Sequence, residues 1–329
     1  MPRTPPHRRS ATALRRAAAG EGERTIVIAL IANIIIAIAK LFGGLISGST
    51  GMLAEAAHSA ADSVNEIFLA IGLHRDRQPA DATHPMGHGR ERFLWSFMAA
   101  IASFLIGGCV SIAMAILQLK ARHPVAGGLA AWIVLGVAFL ADGASWLQGM
   151  RQARRQTKEY KLGVWSYIRR ASDPVVRAVV IEDSAALVGL GIAASGLLLS
   201  TILRTSVPDS IASLAIGVLL TVTAFGLARP FANFLVGRSV PSPFLEQLQA
   251  MFKKEEAIEE VLVLRASYSG PEEVVVMAKV HPSAGMNTRE LARAMDALDG
   301  KIRAAMPVVA DVFIDVTAHR KDEKPGTSS

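Results

Sequence analysis

Cysteine, charged residues and aromatic residues are all scarce in this chain of 329 residues. The single cysteine, Cys109, excludes an intrachain disulfide and any zinc site built from several cysteines. Charged residues make up only 19% of the chain and aromatic residues 6%, whereas hydrophobic residues make up 51% and the mean hydropathy is +0.35. This composition is typical of a membrane protein rather than of a soluble globular domain.

Apolar runs of about twenty residues or more, each able to cross a ~30 Å hydrocarbon core, recur along the first 240 residues. Beyond them charges return, and turn residues separate an amphipathic helical pattern from valine-rich strand patterns. We therefore expect an all-α bundle of six transmembrane helices followed by a small α+β domain with the order αββαβ. The predicted spans are 25–46, 51–73, 93–119, 127–149, 175–203 and 209–236. In the α+β domain we predict a helix at 242–255, a hairpin of strands at 260–268 and 272–281, a second helix from Thr288 that Pro307 ends, and a last strand at 311–317.

Positive charge in the short loops predicts the orientation, because lysine and arginine are in excess on the cytoplasmic side. The segment before the first span has six such residues, the loop 74–92 has four and the loop 150–174 has seven, whereas the opposite loops have none, two and one. Both termini are therefore expected in the cytoplasm. The same topology accounts for the net charge of +7 without nucleic-acid binding.

The first twenty residues contain five arginines and no acidic residue, which is typical of a disordered basic arm or of an organellar transit peptide. We prefer the basic arm, and with it the inner (plasma) membrane of a bacterial cell; the mitochondrial inner membrane is the alternative for a eukaryotic host. The predicted domains are a cytoplasmic arm at 1–24, a transport domain at 25–237, a cytoplasmic dimerisation domain at 240–319 and a disordered tail at 320–329.

Two polar side chains lie four residues apart within the second apolar run. His58 and Asp62 are separated by just over one helical turn, so they project from one face and can converge on a single ion. A charge at this depth costs at least ~2.5–3.5 kcal/mol, which some interaction must offset. This favours metal binding over a polar pair that only stabilises the bundle.

Further polar residues lie at membrane depth on either side of this pair. Glu55, Asn65 and Glu66 extend the same stripe, either as a water-lined path or as helix contacts. Lys40 could pair with Glu55, but we prefer that it extends its ammonium to the outer interface. Asp142 in the fourth run could line a vestibule or make a packing contact.

The fifth apolar run is interrupted by two adjacent acids, Glu182 and Asp183. Adjacent helical residues point about 100° apart, so both can share one ion only if that ion lies between their faces. Either acid could instead be structural. The sequence does not reveal whether this run touches the second one.

The loop between the second and third runs contains Asp81, His84 and His88 in a DxxHxxxH pattern. Two imidazoles and a carboxylate are ligands that a borderline ion such as Zn²⁺ accepts, and Pro85 and the neighbouring glycines permit a tight wrap. An ordinary solvated loop is the alternative, and the spacing by itself does not decide between the two.

From residue 24 to about 318 the chain resembles the cation diffusion facilitators, a family that exports divalent transition metals. In that family the second helix carries HxxxD or DxxxD and the fifth carries HxxxD, which together form a tetrahedral transport site; His58 and Asp62 match the first pair. The resemblance implies six transmembrane helices and a metallochaperone-like cytoplasmic domain that dimerises. It also implies that Asp81, His84 and His88 bind a second, cytoplasmic ion.

The fifth helix departs from the family pattern, because Glu182 replaces the histidine and Ala186 the aspartate. The stretch from Asp173 to Ala186 looks like the branch typified by zinc transporter 9, which shares this substitution. We therefore expect His58, Asp62 and Glu182 to ligate the transported ion, with Asp183 or water completing the shell.

In the C-terminal domain the family's last-strand pattern is occupied by Asp315 and Thr317, and only His281 remains as an obvious ligand. The resemblance therefore implies the fold and dimerisation of this domain, but no metal site within it is expected.

The expected function is export of a divalent metal by alternating access in exchange for protons. Zn²⁺ is the expected cargo, with Mn²⁺, Fe²⁺ or Co²⁺ as competitors. The expected partners are these ions, protons, the lipid bilayer and a second copy of the chain. A metal-responsive membrane scaffold without transport is an alternative, as is an intramembrane metallohydrolase; because no apolar run carries HExxH, we expect no enzyme.

Overall fold

The computed structural model describes residues 30–31, 33–121, 129–160, 174–271 and 273–318. The chain divides into two compact units, the first formed by residues up to His74 and by Leu94–Phe231, the second by Arg75–Phe93 and the residues from Ala232 on. The predicted arm at 1–24 and the tail at 320–329 lie outside the described residues.

The first unit is helical. Most of its long helices begin and end close to the predicted spans, and within the third helix the segment Ser103–Cys109 has π-helical hydrogen bonding. The bounds are Asn33–Ser47 for the described part of α1, Thr50–Arg75 for α2, Glu91–Ala121 for α3, Leu129–Tyr160 for α4, Pro174–Leu203 for α5 and Val207–Val236 for α6.

Four helices in the described part of the chain, α3 to α6, are long and apolar enough to cross a membrane. Helix α1 is apolar but shorter within its described bounds. Helix α2 has 26 residues, but Glu55, Asp62 and Glu66 interrupt its apolar character. Six spans therefore remain a prediction, of which four meet the criterion of length and composition.

The first unit has large apolar side chains on its exterior and charged side chains in its interior. The side chains of Ile46, Leu117 and Leu140 are exposed by 70%, 65% and 73%. Lys40 and Glu55, in contrast, are fully buried. A protein in water has the reverse arrangement, since exposed apolar surface is unfavourable there. A hydrocarbon surrounding favours what is observed.

A buried carboxylate on α6 holds the N-terminal end of α2. Asp209, which is fully buried, accepts hydrogen bonds from the Ser49 hydroxyl at 2.6 Å, the Thr50 hydroxyl at 2.9 Å and the backbone N–H of Gly51 at 3.3 Å, as well as from the Thr50 N–H. The first N–H groups of a helix have no partner within the helix, and a carboxylate there also complements the helix dipole. We call this contact the α2–α6 clasp.

The second unit contains a three-stranded sheet in the order β1-β2-β3. Strand β1 pairs antiparallel with β2, and β2 pairs parallel with β3 through the crossover helix α8. The order αββαβ is the predicted one. The bounds are Ser242–Lys253 for α7, Ile258–Gly270 for β1, Glu273–Pro282 for β2, Thr288–Ala305 for α8 and Val309–Val316 for β3.

The two helices of the second unit cover one face of this sheet. Leu248 and Phe252 of α7 and Leu298 and Ile302 of α8 are buried against the strands, together with the inward residues of β2 such as Val276. Helix α8 begins with a capping box between Asn287 and Glu290, which satisfies two terminal N–H groups.

On the opposite face of the sheet, each strand presents one apolar side chain that is exposed within the described residues. Val263, Met277 and Phe313, one from each strand, are exposed by 38%, 42% and 53%, and Met277 is the register partner of Phe313. We call these three side chains the open-face patch.

Candidate metal sites

Helix α2 carries the polar stripe that the sequence predicts. Glu55, His58 and Asn65 are buried, and the Asp62 side chain is 25% exposed. The stripe follows from spacing, because residues three and four apart in a helix share one face.

His58 and Asp62 lie side by side within the first unit. The Nδ1 atom of His58 is 3.7 Å from Oδ1 of Asp62, which is too long for a hydrogen bond. Both ring nitrogens of His58 and Oδ1 of Asp62 are buried with no hydrogen-bond partner in the described protein. Buried polar atoms are nearly always paired, so two unpartnered nitrogens beside an unpartnered carboxylate oxygen fit a cation ligand set.

Helix α5 brings Glu182 to this stripe. The Nδ2 amide of Asn65 donates to Oε1 of Glu182 at 3.0 Å, and Asp62 and Glu66 are near enough to Glu182 to interact with it electrostatically. The structure thus brings together α2 and α5, which sequence reasoning alone left open. Glycine at position 189, one turn beyond Ala186, lets Glu55 pack directly against α5, since a Cβ there would collide with the Glu55 carboxylate.

Asp183 points to a different neighbour. Its Oδ2 accepts a hydrogen bond from the Ser145 hydroxyl of α4 at 2.9 Å. One of its oxygens therefore already has a protein partner, unlike the ring nitrogens of His58.

The four predicted transport-site residues do not all lie at ligand spacing from one another. Among the described residues, the one set of three His, Cys, Asp or Glu side chains whose ligand atoms lie within 4.8 Å is Asp81, His84 and His88. Simultaneous coordination by His58, Asp62 and Glu182 requires side-chain adjustment toward the ion.

Lys40 is fully buried rather than extended to the interface. Its Nζ donates to Oε2 of Glu55 at 3.1 Å, to the Ser59 hydroxyl at 3.0 Å and to Oδ2 of Asp142 at 3.4 Å. The preference for an interfacial Lys40 was therefore wrong. Two carboxylates from α2 and α4 hold the ammonium inside, which offsets the cost of removing it from water.

The predicted loop site is assembled in the second unit. Oδ1 of Asp81 accepts from the Thr83 hydroxyl at 2.6 Å and from the backbone N–H groups of Thr83 and His84, both at 2.7 Å. Its other oxygen, Oδ2, lies 3.0 Å from Nε2 of His88. The rings of His84 and His88 are stacked at an angle with centroids 4.2 Å apart. All three predicted ligands therefore converge.

The loop cluster is electrostatically organised. Hydrogen bonds from the Thr83 hydroxyl and the His84 N–H favour the ionised carboxylate and hold the pKa of Asp81 below its usual range. A hydrogen bond with Glu91, and a second with Asp81, raise the pKa of His88. The carboxylate is thus already charged, which a cation ligand requires.

Sequence reasoning missed Glu91 as a member of this cluster. Its Oε1 lies 2.7 Å from Nδ1 of His88, so that a carboxylate orients the ring that Asp81 contacts on its other side. A carboxylate at the second nitrogen of a histidine is the usual outer partner of a metal-ligating imidazole. The i, i+3 spacing of His88 and Glu91 at the start of α3 was the available signal.

The same loop packs closely on the β1–β2 turn within the second unit. A Cβ at Gly89 would lie 2.8 Å from the carbonyl oxygen of Ser269 and 3.0 Å from the Cα of Gly270. Only glycine permits this approach of the two backbones. The loop cluster is thereby anchored to the sheet.

Residues 26–236 match the sequence model of the cation efflux transmembrane domain. The chain belongs to the cation efflux, or cation diffusion facilitator, family. The predicted resemblance is confirmed, and the matched segment of this family member contains His58, Asp62, Glu182 and Asp183.

Curated relatives of this cation efflux protein include transporters of different metals. Metal tolerance protein C4 of Arabidopsis thaliana is 30% identical over 249 residues, 76% of this chain and 54% of the relative. The mitochondrial proton-coupled zinc antiporter SLC30A9 of Xenopus laevis is 27% identical over 273 residues, 83% and 49% of the two chains. The manganese efflux system protein MneP of Bacillus subtilis (strain 168) is 24% identical over 247 residues, 75% and 80%.

The antiporter relatives support the assignment to the zinc transporter 9-like branch. The chain spans about half the length of the plant and amphibian relatives that it matches.

Proposed function

We propose that this protein exports a divalent transition metal, foremost Zn²⁺, across a membrane in exchange for protons. One observation carries the proposal: among the described residues, both ring nitrogens of buried His58 are unpartnered beside Asp62, on the stripe of α2 whose Asn65 contacts Glu182 of α5. Membership of the cation efflux family supports it.

The site residues have separate tasks in this proposal. His58 and Asp62 supply one nitrogen and one carboxylate from α2, and Glu182 supplies a second carboxylate from α5. Asn65 orients Glu182 through its amide. Asp183 or a water completes the coordination shell. Rocking of the helices then exposes the ion to the opposite side.

Exchange for protons follows from ligand chemistry. An imidazole binds a metal only through a free lone pair, so a proton and a metal ion compete for the same nitrogen of His58. A relative named as a proton-coupled zinc antiporter supports this assignment. A manganese efflux relative supports Mn²⁺ as a competitor, since a site with two or three oxygens also suits that ion.

The loop cluster is proposed to bind a second ion on the cytoplasmic side. Asp81, His84 and His88 supply its ligands, and Glu91 holds the ring of His88. Six spans with both termini in the cytoplasm are part of the proposal. The bacterial inner membrane is the proposed location, with the mitochondrial inner membrane, named for SLC30A9 relatives, as the alternative.

A homodimer through the sheet of the second unit is also proposed. The open-face patch presents one large apolar side chain from each strand. A lone chain in water leaves this surface exposed, whereas a second copy would bury it.

Transport in proteoliposomes tests the function. Protein reconstituted with a pH gradient is expected to accumulate Zn²⁺, and His58→Ala is expected to abolish uptake. Competition by Mn²⁺, Fe²⁺ and Co²⁺ in the same vesicles ranks the cargo. Uptake that is unchanged when an ionophore collapses the gradient would rule out proton exchange.

A metal-responsive scaffold is the second candidate. It is favoured by the loop cluster, the one three-residue ligand group at close spacing in the described chain. A scaffold would bind Zn²⁺ through the loop and move no ion across the vesicle membrane, so the same assay separates the two functions.

A further inference from the structure

Lys40 is the centre of a buried charge cluster that the transport chemistry described above does not use. Its ammonium contacts two carboxylate oxygens, from Glu55 and Asp142, and the hydroxyl of Ser59. Both Lys40 and Glu55 are fully buried, and the Asp142 side chain is 16% exposed. The cluster joins α1, α2 and α4, and its formal charge is −1.

The cluster adjoins the proposed transport site. Glu55 precedes His58 by three residues and Ser59 precedes Asp62 by three, so all four lie on the same stripe of α2. Lys40 is near enough to interact electrostatically with both His58 and Asp62. Its charge therefore acts on the residues that would bind the ion.

Two carboxylates and a hydroxyl around one cation are also the oxygen ligands that a hard divalent ion takes. In this protein a lysine ammonium, fixed to the chain, occupies that place. The second oxygen of Glu55, Oε1, is buried without a hydrogen-bond partner in the described residues, so the contact of Oε2 with Lys40 is what holds this carboxylate.

We propose that Lys40 is a tethered counter-cation that keeps Glu55 and Asp142 from ligating the transported ion, and thereby sets the affinity and selectivity of the site. This rests on the proposed function. Lys40 acts through the two acids and is a positioning residue. Without its ammonium, two carboxylates become available beside His58, and the site gains oxygen ligands that favour Mn²⁺ over Zn²⁺.

A set of charge variants tests the proposal by Zn²⁺ and Mn²⁺ uptake into proteoliposomes. Lys40→Met is expected to raise the Mn²⁺ to Zn²⁺ ratio of kcat/KM by about tenfold. Lys40→Arg keeps the charge and is expected to keep the ratio of the unmodified protein. The triple variant Lys40→Met with Glu55→Gln and Asp142→Asn has no released carboxylate, and its ratio is expected to return to that of the unmodified protein.

Glu55→Gln by itself provides an independent arm, because it leaves Lys40 paired only with Asp142 and makes the cluster less negative. KM is expected to rise by about tenfold for both metals with little change in kcat, since the ion meets a less compensated ammonium. A packing role of Glu55 would instead lower kcat and folded yield without this split.

The proposal is overturned if Lys40→Met keeps the original metal ratio or if the triple variant retains the altered one. Where Lys40→Met yields no folded protein, Glu55→Gln decides, and an unchanged KM overturns the proposal. His58→Ala in the otherwise unmodified chain is scored separately. Undiminished transport by that variant refutes the transport site, whereas an unchanged metal ratio in the charge series together with an inactive His58→Ala refutes only the role of Lys40.

Discussion

His58 has a charged neighbourhood but no hydrogen-bond partner of its own in the described chain. Glu55, Lys40 and Asp142 all act on it electrostatically, while Glu55 and Asp142 are each paired with the Lys40 ammonium. A histidine retained only for packing would be expected to use at least one ring nitrogen in a hydrogen bond. Its free nitrogens distinguish it from His281, whose Nδ1 lies 3.1 Å from the carbonyl oxygen of Thr317.

The two acids of α5 are expected to differ in their effect on transport. Glu182→Gln should lower kcat/KM for Zn²⁺ by at least about 100-fold, because it removes a carboxylate that is proposed to ligate the ion. Asp183→Asn should lower it by about tenfold or less, because the Asp183 carboxylate already accepts from Ser145. Initial uptake rates at several Zn²⁺ concentrations measure both, and equal losses would contradict the separation of roles.

At the loop cluster, His88→Ala is expected to remove one bound Zn²⁺ per chain from the purified full-length protein. His88 is contacted by Asp81 and Glu91 and is buried, so its loss leaves two exposed ligands, which bind weakly. Equilibrium dialysis with Zn²⁺ alone measures the stoichiometry. His74→Ala is the matched control, since His74 is an exposed histidine outside the cluster; a similar loss in this control would argue against the loop site.

Individual residues were predicted unevenly from the sequence. Asp81, His84 and His88 could be grouped because they lie within one short loop. Lys40 was misassigned because its partners, Glu55 and Asp142, are 15 and 102 residues away in the chain and meet only after the helices pack. Glu182 was chosen by resemblance, and its contact with Asn65 required the three-dimensional structure.

At the scale of elements, the α2–α6 clasp fixes where α2 begins. The first residues of α2, Thr50 and Gly51, have their N–H groups bound to Asp209 rather than to solvent. The hydroxyl oxygen of Ser200 on α5 accepts a hydrogen bond from the backbone N–H of Asp209 at 2.9 Å. Three helices that carry or flank the proposed transport residues therefore meet at Asp209, α2 through its carboxylate and α5 through its backbone N–H.

Asp209→Ala is expected to destabilise the transmembrane unit by about 3 kcal/mol or more, because it leaves several buried donors unpaired. Thermal unfolding of the detergent-solubilised protein, followed by the loss of monodisperse material, measures the change. Ser210→Ala is the control. Ser210 is equally buried on the same helix, and its hydroxyl donates to the carbonyl oxygen of Ser206 four residues earlier. A variant at Asp209 as stable as this control would contradict the clasp.

The elements themselves followed well from the sequence. Predicted spans 51–73, 93–119, 175–203 and 209–236 agree with α2, α3, α5 and α6 within a few residues, because apolar runs of this length have few other stable conformations in a membrane. The π-helical segment of α3 was not predictable, since Ser103–Cys109 has no composition that distinguishes it from α-helix. Helix α4 continues to Tyr160, past the predicted end of its span, because its polar residues still favour helix.

At the scale of the whole molecule, the open-face patch determines how two chains are expected to associate. Phe313→Asp should weaken the homodimer of the full-length protein by about 2 kcal/mol, or roughly thirtyfold in the dissociation constant, since it places a charge in the apolar centre of the proposed interface. Light scattering coupled to size exclusion in detergent measures the mass.

Val308→Asp is the matched control for this experiment. Like Phe313, Val308 is an exposed apolar residue of the second unit, with 40% of its surface accessible. It precedes β3, however, and is not part of the open-face patch. If both variants remain dimeric, or if both dissociate alike, the interface lies elsewhere.

The loop cluster and the β1–β2 turn meet at two glycines, and this imposes a rule on sequence change. A Cβ at Gly89 would approach the Cα of Gly270 to 3.0 Å, and a Cβ at Gly270 would approach the Cα of Gly89 to 3.2 Å. Neither position can acquire a side chain while the other backbone stays where it is. Among descendants of this chain, the two positions should therefore drift together, so that substitution of one glycine is accompanied by a change in the length or conformation of the other segment.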